Sequence, residues 1–116
     1  MSQYTDPGDW CAPVAGILYR STAPLTWHVG RPGSGLTVTV PVGATFDVSV
    51  PRGLCRIFNP HDPRSLRAAA LHDELLRRGW DRTTAGAIFH DALRADGMPR
   101  WRRLAMWLAV SLFRYR

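Results

Sequence analysis

The chain contains no lysine: all fifteen of its basic side chains are arginine. Without lysine, the one glycine-rich stretch, Gly30–Gly35, cannot act as a phosphate loop, and it also lacks that loop's strand-to-helix setting. Cysteine is scarce as well. Cys11 and Cys55 have neither zinc-ligand spacing nor the density of a disulfide scaffold. The ten glycines and nine prolines are scattered, and no heptad or other repeat is present, which excludes collagen, coiled coil and wholesale disorder. The longest apolar stretch, Leu104 to Phe113, spans ten residues, against about 20 needed to cross a bilayer, so no transmembrane span is expected. The first nineteen residues hold Asp6 and Asp9 and no basic residue, the reverse of a signal peptide's charged start. Secretion by that route is therefore not expected.

What is present fits one domain. The 116 residues are 46% hydrophobic and 21% charged, enough to close a single core that buries about two-thirds of the unfolded surface. The net charge of +6 is unevenly placed. Residues 1–60 hold four arginines and three aspartates, whereas residues 61–116 hold eleven arginines and six acids. From Pro99 to Arg116 there are five arginines and no acid, a terminus that favours anionic partners such as nucleic acid, acidic lipid or an acidic protein surface.

The hydrophobic period changes near residue 60. Leu36–Val40 and Phe46–Val50 alternate as half-buried strands do, with Pro41–Thr45 as a turn or bend between them. Leu25–Val29 reads as an earlier strand, joined onward by a hairpin connection at Arg31–Gly35, and Val14–Tyr19 as a further one. Residues 1–12 are expected to be irregular. Asp62 and Pro63 then supply an N-cap and a proline at the first helical position, and Gly79–Trp80 fits a glycine cap at that helix's end. Asp81 can cap a second helix with Ala85, Ile88, Phe89, Ala92 and Leu93 on one face and Gly97 beyond its end. Pro99 opens a third helix, Arg100 to about Arg114, that is apolar almost all round apart from its terminal arginines. The expected fold is a single α+β domain over 1–116: a small, mainly antiparallel sheet from the first 60 residues, packed by three C-terminal helices.

Three segments stand out in order: Thr45–Arg52, Ala70–Leu76 and Asp81–Asp91. Together they resemble the domain-of-unknown-function family numbered thirteen fifty-three, common in phages and prophages. Its extended D-x-x-S-[VI]-P-R element is matched by Asp47, Ser49, Val50, Pro51 and Arg52, with one residue fewer between Asp and Ser. Its helical H-D is matched by His72-Asp73. Its R-x-x-A-D-x-x-F helix is matched by Arg82, Ala85 and Phe89, with Gly86 in place of the acid. The resemblance covers about residues 36–113. It implies a phage or prophage origin, with the host cytoplasm or a virion as the expected location, and no particular activity.

Two readings of His72 and Asp73 compete. Imidazole and carboxylate can ligate a divalent metal or move a proton, with Asp47 at a strand end as the third member. Neighbouring helical positions diverge by about 100°, so His72 and Asp73 cannot grip one ion as an i,i+4 pair would. Ala69 and Leu76 flank His72 on its face, Asp73 precedes Arg77 by four residues, and Glu74 precedes Arg78 by four; these favour packing and helical ion pairs. Asp47 and Arg52 can equally brace the turn where Pro51 ends the strand. His90 lies off the apolar face of its helix and is expected in solvent. Ser49 lacks a nucleophile-elbow context, and Cys55 fits a small core residue better than a reactive thiol.

The last helix has two apolar faces. Trp101, Leu104, Ala105, Leu108 and Leu112 form a stripe expected to pack on the sheet. Met106, Val110 and Phe113, with Trp101 and Trp107 beside the arginines, are then left to meet a partner chain, nucleic acid or a membrane surface. The function expected from the whole is a phage- or prophage-encoded accessory protein working through protein contacts in virion or tail assembly. The alternatives are a small metal-assisted hydrolase using Asp47, His72 and Asp73, and a basic nucleic-acid-binding protein.

Overall fold

Strand-forming segments fill the first half of the chain and helices the second. The computed structural model describes residues 4, 9–16, 18–31, 33–47 and 62–112. The strands are β1 (Cys11–Ala15), β2 (Leu18–Ser21), β3 (Leu25–His28), β4 (Thr37–Val40) and β5 (Thr45–Asp47); the helices are α1 (Pro63–Arg77), α2 (Arg82–Ala95) and α3 (Arg100–Leu112). The fold is α+β, with every strand pair antiparallel.

The strands form two sheets: β1-β2-β5, and the β3-β4 hairpin. The expected strand at Val14–Tyr19 is a hairpin, because Gly16 turns the chain at φ +54° and β2 runs back along β1. Regular structure thus begins at Cys11, inside the segment expected to be irregular, and Tyr4 already bridges to Trp27. Pro41 and Gly43 carry the chain from one sheet to the other. Buried Ser21 fastens that crossing: its hydroxyl donates to Pro41 O at 2.6 Å and accepts from Ala44 N at 3.0 Å. Of the strand expected at Phe46–Val50, the end beyond Asp47 lies outside the described residues.

The helix boundaries follow from their caps. Asp62 accepts from Arg64 N at 2.9 Å with Pro63 in the first turn, and Asp81 accepts from Thr84 N at 3.0 Å. Both helices end in the same glycine motif. Gly79 and Gly97 take left-handed backbone, and the next residues, Trp80 and Met98, bond back to Leu75 O and Leu93 O. Ala68, Ala69 and Ala70 of α1 and Ala85 and Ala92 of α2 are buried, and such small side chains permit close approach of packed helices.

α1 packs on β4 and β5, α2 packs on α1, and α3 packs on α2. The core runs through these layers, from Trp27, Leu25 and Val40 on the strands to Leu71, Leu75, Phe89 and Leu93 on the helices. α3 therefore does not lie on the sheet as expected, and its rotation is opposite to the expectation. Met106 is buried, and Ala105 and Val110 pack against the core, while Trp101, Leu104 and Leu108 are exposed. Arg103 lies on the packed side. Its guanidinium donates to Met98 O at 3.2 Å across the short connection, and positions 103, 106 and 110 turn toward α2. Both stripes are apolar, and the side carrying Met106 and Val110 is the one that packs against the core.

Candidate functional site

His72 and Asp73 occupy the middle of α1 and are both half-buried. The His72 ring meets Phe89 of α2 with centroids 5.2 Å apart, so it stands in the α1–α2 seam. Asp47 ends β5, pairing with Leu18 through the backbone; its side chain lies outside the described residues, as do Ser49, Pro51, Arg52, Cys55 and His61. Among the described residues there is no cluster of three or more His, Cys, Asp or Glu side chains able to hold a metal. Arg82 opens α2, and Gly86, at the position of the expected acid, is buried on that helix.

The neighbouring acid, Glu74, is held by two arginines. It is the chain's one glutamate and is 5% exposed. It accepts from Arg77 Nη1 at 2.6 Å and from Arg78 Nε at 2.7 Å. Each arginine then reaches a strand carbonyl: Arg77 donates to Thr45 O at 3.2 Å, and Arg78 to Thr39 O at 2.6 Å. Thr39 belongs to one sheet and Thr45 to the other. One carboxylate therefore orients two guanidiniums that tie α1 to both sheets. The i,i+4 spacing of Glu74 and Arg78 signals half of this clamp, and the strand contacts have no local signal.

A second buried network escaped the sequence reading. Arg67 of α1 makes a two-point contact with Asp96, the C-cap of α2, through Nε to Oδ2 at 3.2 Å and Nη2 to Oδ1. The same guanidinium lies 4.1 Å above the Tyr4 ring, which meets Trp27 edge-on at 4.7 Å. Burial raises the Asp96 carboxyl above its ordinary value and outweighs the opposing pull of Arg67. Burial also pushes the Tyr4 phenol well up, and the nearby Asp96 carboxylate adds to that effect.

His90 is not in open solvent. It lies half-buried in the α2–α3 seam, with Trp107 edge-on at 6.4 Å and its Nε2 making no hydrogen bond among the described residues. Burial lowers its pKa first, and Arg103 lowers it further. The Trp107 ring is thus half-buried against α2, so of the residues expected to face a partner, Trp107, Met106 and Val110 serve the helix packing. Phe113 lies outside the described residues.

The remaining candidate surface is the outward face of α3. Trp101 is 57% exposed, Leu108 47% and Leu104 38%, at spacing i, i+3 and i+7. Arg102 folds its guanidinium over the Trp101 ring at 5.1 Å, and Arg100 is exposed on the other side of the stripe. Trp101 and these arginines were legible in the sequence as a possible contact element, but the side on which they lie was not. None of the described helices is long and apolar enough to cross a membrane.

No curated protein and no solved structure matches the chain. A family model does, over residues 25–110, spanning β3 through most of α3. Its description is "Protein of unknown function (DUF1353)", and the match takes in the segments around Asp47, His72 and Arg82 that carried the resemblance. By that match over most of its length, the chain belongs to the DUF1353 family.

Proposed function

We propose that the protein is a phage- or prophage-encoded accessory protein that acts through contacts with other virion proteins, in virion or tail assembly. The packing of His72 against Phe89 is the observation that favours contact over catalysis. The hydrolase alternative needs His72 available to a metal or a substrate, and the ring is instead part of the seam between α1 and α2. Glu74 and Asp96, two further acids of the helical half, are engaged by arginines. These two ion-pair networks support a scaffold reading of the helical half. Nucleic-acid binding rests on net charge alone and ranks below both.

The test is deletion of the gene from a phage or prophage that carries it, followed by electron microscopy and infectivity counts. Defective particles, restored by the wild-type gene and equally by a folded His72→Gln variant, support an assembly role without catalysis. Normal particles, or a folded His72→Gln protein that cannot restore them, count against it. Flanking genes give an earlier indication: tail genes favour assembly, and lysis genes favour the hydrolase.

A further inference from the structure

We propose that the outward face of α3 docks on an anionic lipid surface. The inference is independent of the assembly role and rests on how α3 is turned. On a helix with about 100° per residue, Trp101, Leu104 and Leu108 fall within about 60° of arc. Arg100 and Arg102 then stand about 100° to either side of Trp101. The result is an apolar strip flanked by one arginine on each side at its N-terminal end, with no acidic residue in α3 from Arg100 to Leu112. The opposite face is committed to α2 through Met106 and Val110. α3 is therefore presented outward as a fixed rib.

Charge and area select the occupant. Leucines and a tryptophan suit the boundary between headgroups and hydrocarbon, and guanidiniums suit the phosphates just above it. A strand of nucleic acid would engage the arginines and Trp101 but leave Leu104 and Leu108 in water. The three side chains together expose on the order of 300 Å², against about 800 Å² covered on each side of a stable protein pair. A bilayer needs no complementary shape, and its anionic lipids attract each basic group near the surface.

The test is partition of the full chain onto vesicles of phosphatidylcholine alone and of phosphatidylcholine with an equal part of phosphatidylglycerol, followed by sedimentation. The expected preference for the anionic vesicles is about tenfold or more, diminishing as salt is raised. Trp101→Ala with Leu108→Ser should reduce partition about tenfold, and Arg100→Gln with Arg102→Gln should remove the preference for phosphatidylglycerol. These side chains lie outside the core, and unchanged circular dichroism confirms that the variants fold. Equal partition onto both vesicles overturns the proposal, as does partition indifferent to the variants. No partition onto either vesicle leaves the face to a protein partner and also overturns it. Two further results do the same: self-association abolished by Trp101→Ala with Leu108→Ser, or tighter binding of a single-stranded oligonucleotide that depends on those same two residues.

Discussion

Arg67 grips the carboxylate of Asp96 across the α1–α2 seam while lying face-on against Tyr4. Asp96 caps the C-terminus of α2, where the helix dipole disfavours a negative charge, and its side chain is only 4% exposed. Arginine supplies the compensating charge and a geometry that satisfies both oxygens. Arg67→Met strands a buried carboxylate and should cost about 3 kcal/mol or more. Adding Asp96→Leu removes that carboxylate and should recover much of the loss. A double-mutant cycle from denaturant melts measures the coupling, and additive losses would show that the two side chains do not act as a unit.

Glu74 should be more sensitive than either of its arginines. Arg77 and Arg78 are about half exposed, so truncating one of them should cost about 1 kcal/mol or less. Glu74→Ala releases both guanidiniums from their common anchor and should cost about 2–4 kcal/mol. Hydrogen exchange adds a spatial signature: protection should fall at the β4 and β5 edges that receive Arg78 and Arg77. A loss confined to α1 would contradict the bridge between the sheets.

These networks explain what could be read in the sequence and what could not. The caps at Asp62, Gly79, Asp81 and Gly97 are local, each decided by a few neighbouring residues, and they set the bounds of α1 and α2. The buried face of α2 from Ala85 to Leu93 followed from period alone. Arg67 and Asp96, by contrast, are 29 residues apart, and nothing in either segment names the other. The division into two sheets depends on β2 choosing β5 as its partner, again a long-range choice. For α3, two apolar stripes left the rotation to long-range packing against α2. His72 was readable as an edge-of-stripe residue, but its aromatic neighbour was not.

The rotation of α3 predicts unequal costs for two residues of similar size. Met106 is 7% exposed, and Met106→Ala should destabilise by about 2–4 kcal/mol through lost burial and a residual cavity. Leu108→Ala, on the outward face, should change stability by about 0.5 kcal/mol or less. Thermal or denaturant melts of the two variants decide the orientation. A larger loss for Leu108 would place the other stripe inside.

The placement of His90 gives the α2–α3 seam a pH dependence. Its pKa in the fold is lowered from the ordinary value near 6.5 by burial and by Arg103, with Arg94 adding to that and Asp91 opposing it. The unfolded chain therefore takes the proton more readily. The contribution of neutral His90 to stability is present above about pH 6.5 and is lost as pH falls through the lowered folded value. His90→Phe should flatten this part of the stability profile between about pH 7.5 and 5, leaving other titrations unchanged. Denaturant midpoints across that range provide the measurement, and parallel profiles for wild type and variant would exclude the effect.

His72 offers the sharpest separation of a scaffold role from a catalytic one. Set against Phe89 between two helices, its ring contributes contact area that alanine cannot replace. His72→Ala should therefore destabilise the protein by about 1–3 kcal/mol, the range for loss of a packed polar side chain. Calorimetric titration of the wild type with zinc and with manganese should show no stoichiometric binding. A metal site would behave differently. Because the metal competes with the proton for imidazole, its affinity would fall as pH drops, and His72→Ala would abolish binding while sparing stability. One-to-one binding lost in a variant of unchanged stability would mean that the ring leaves Phe89 to serve a metal, and the hydrolase reading would then take precedence over assembly.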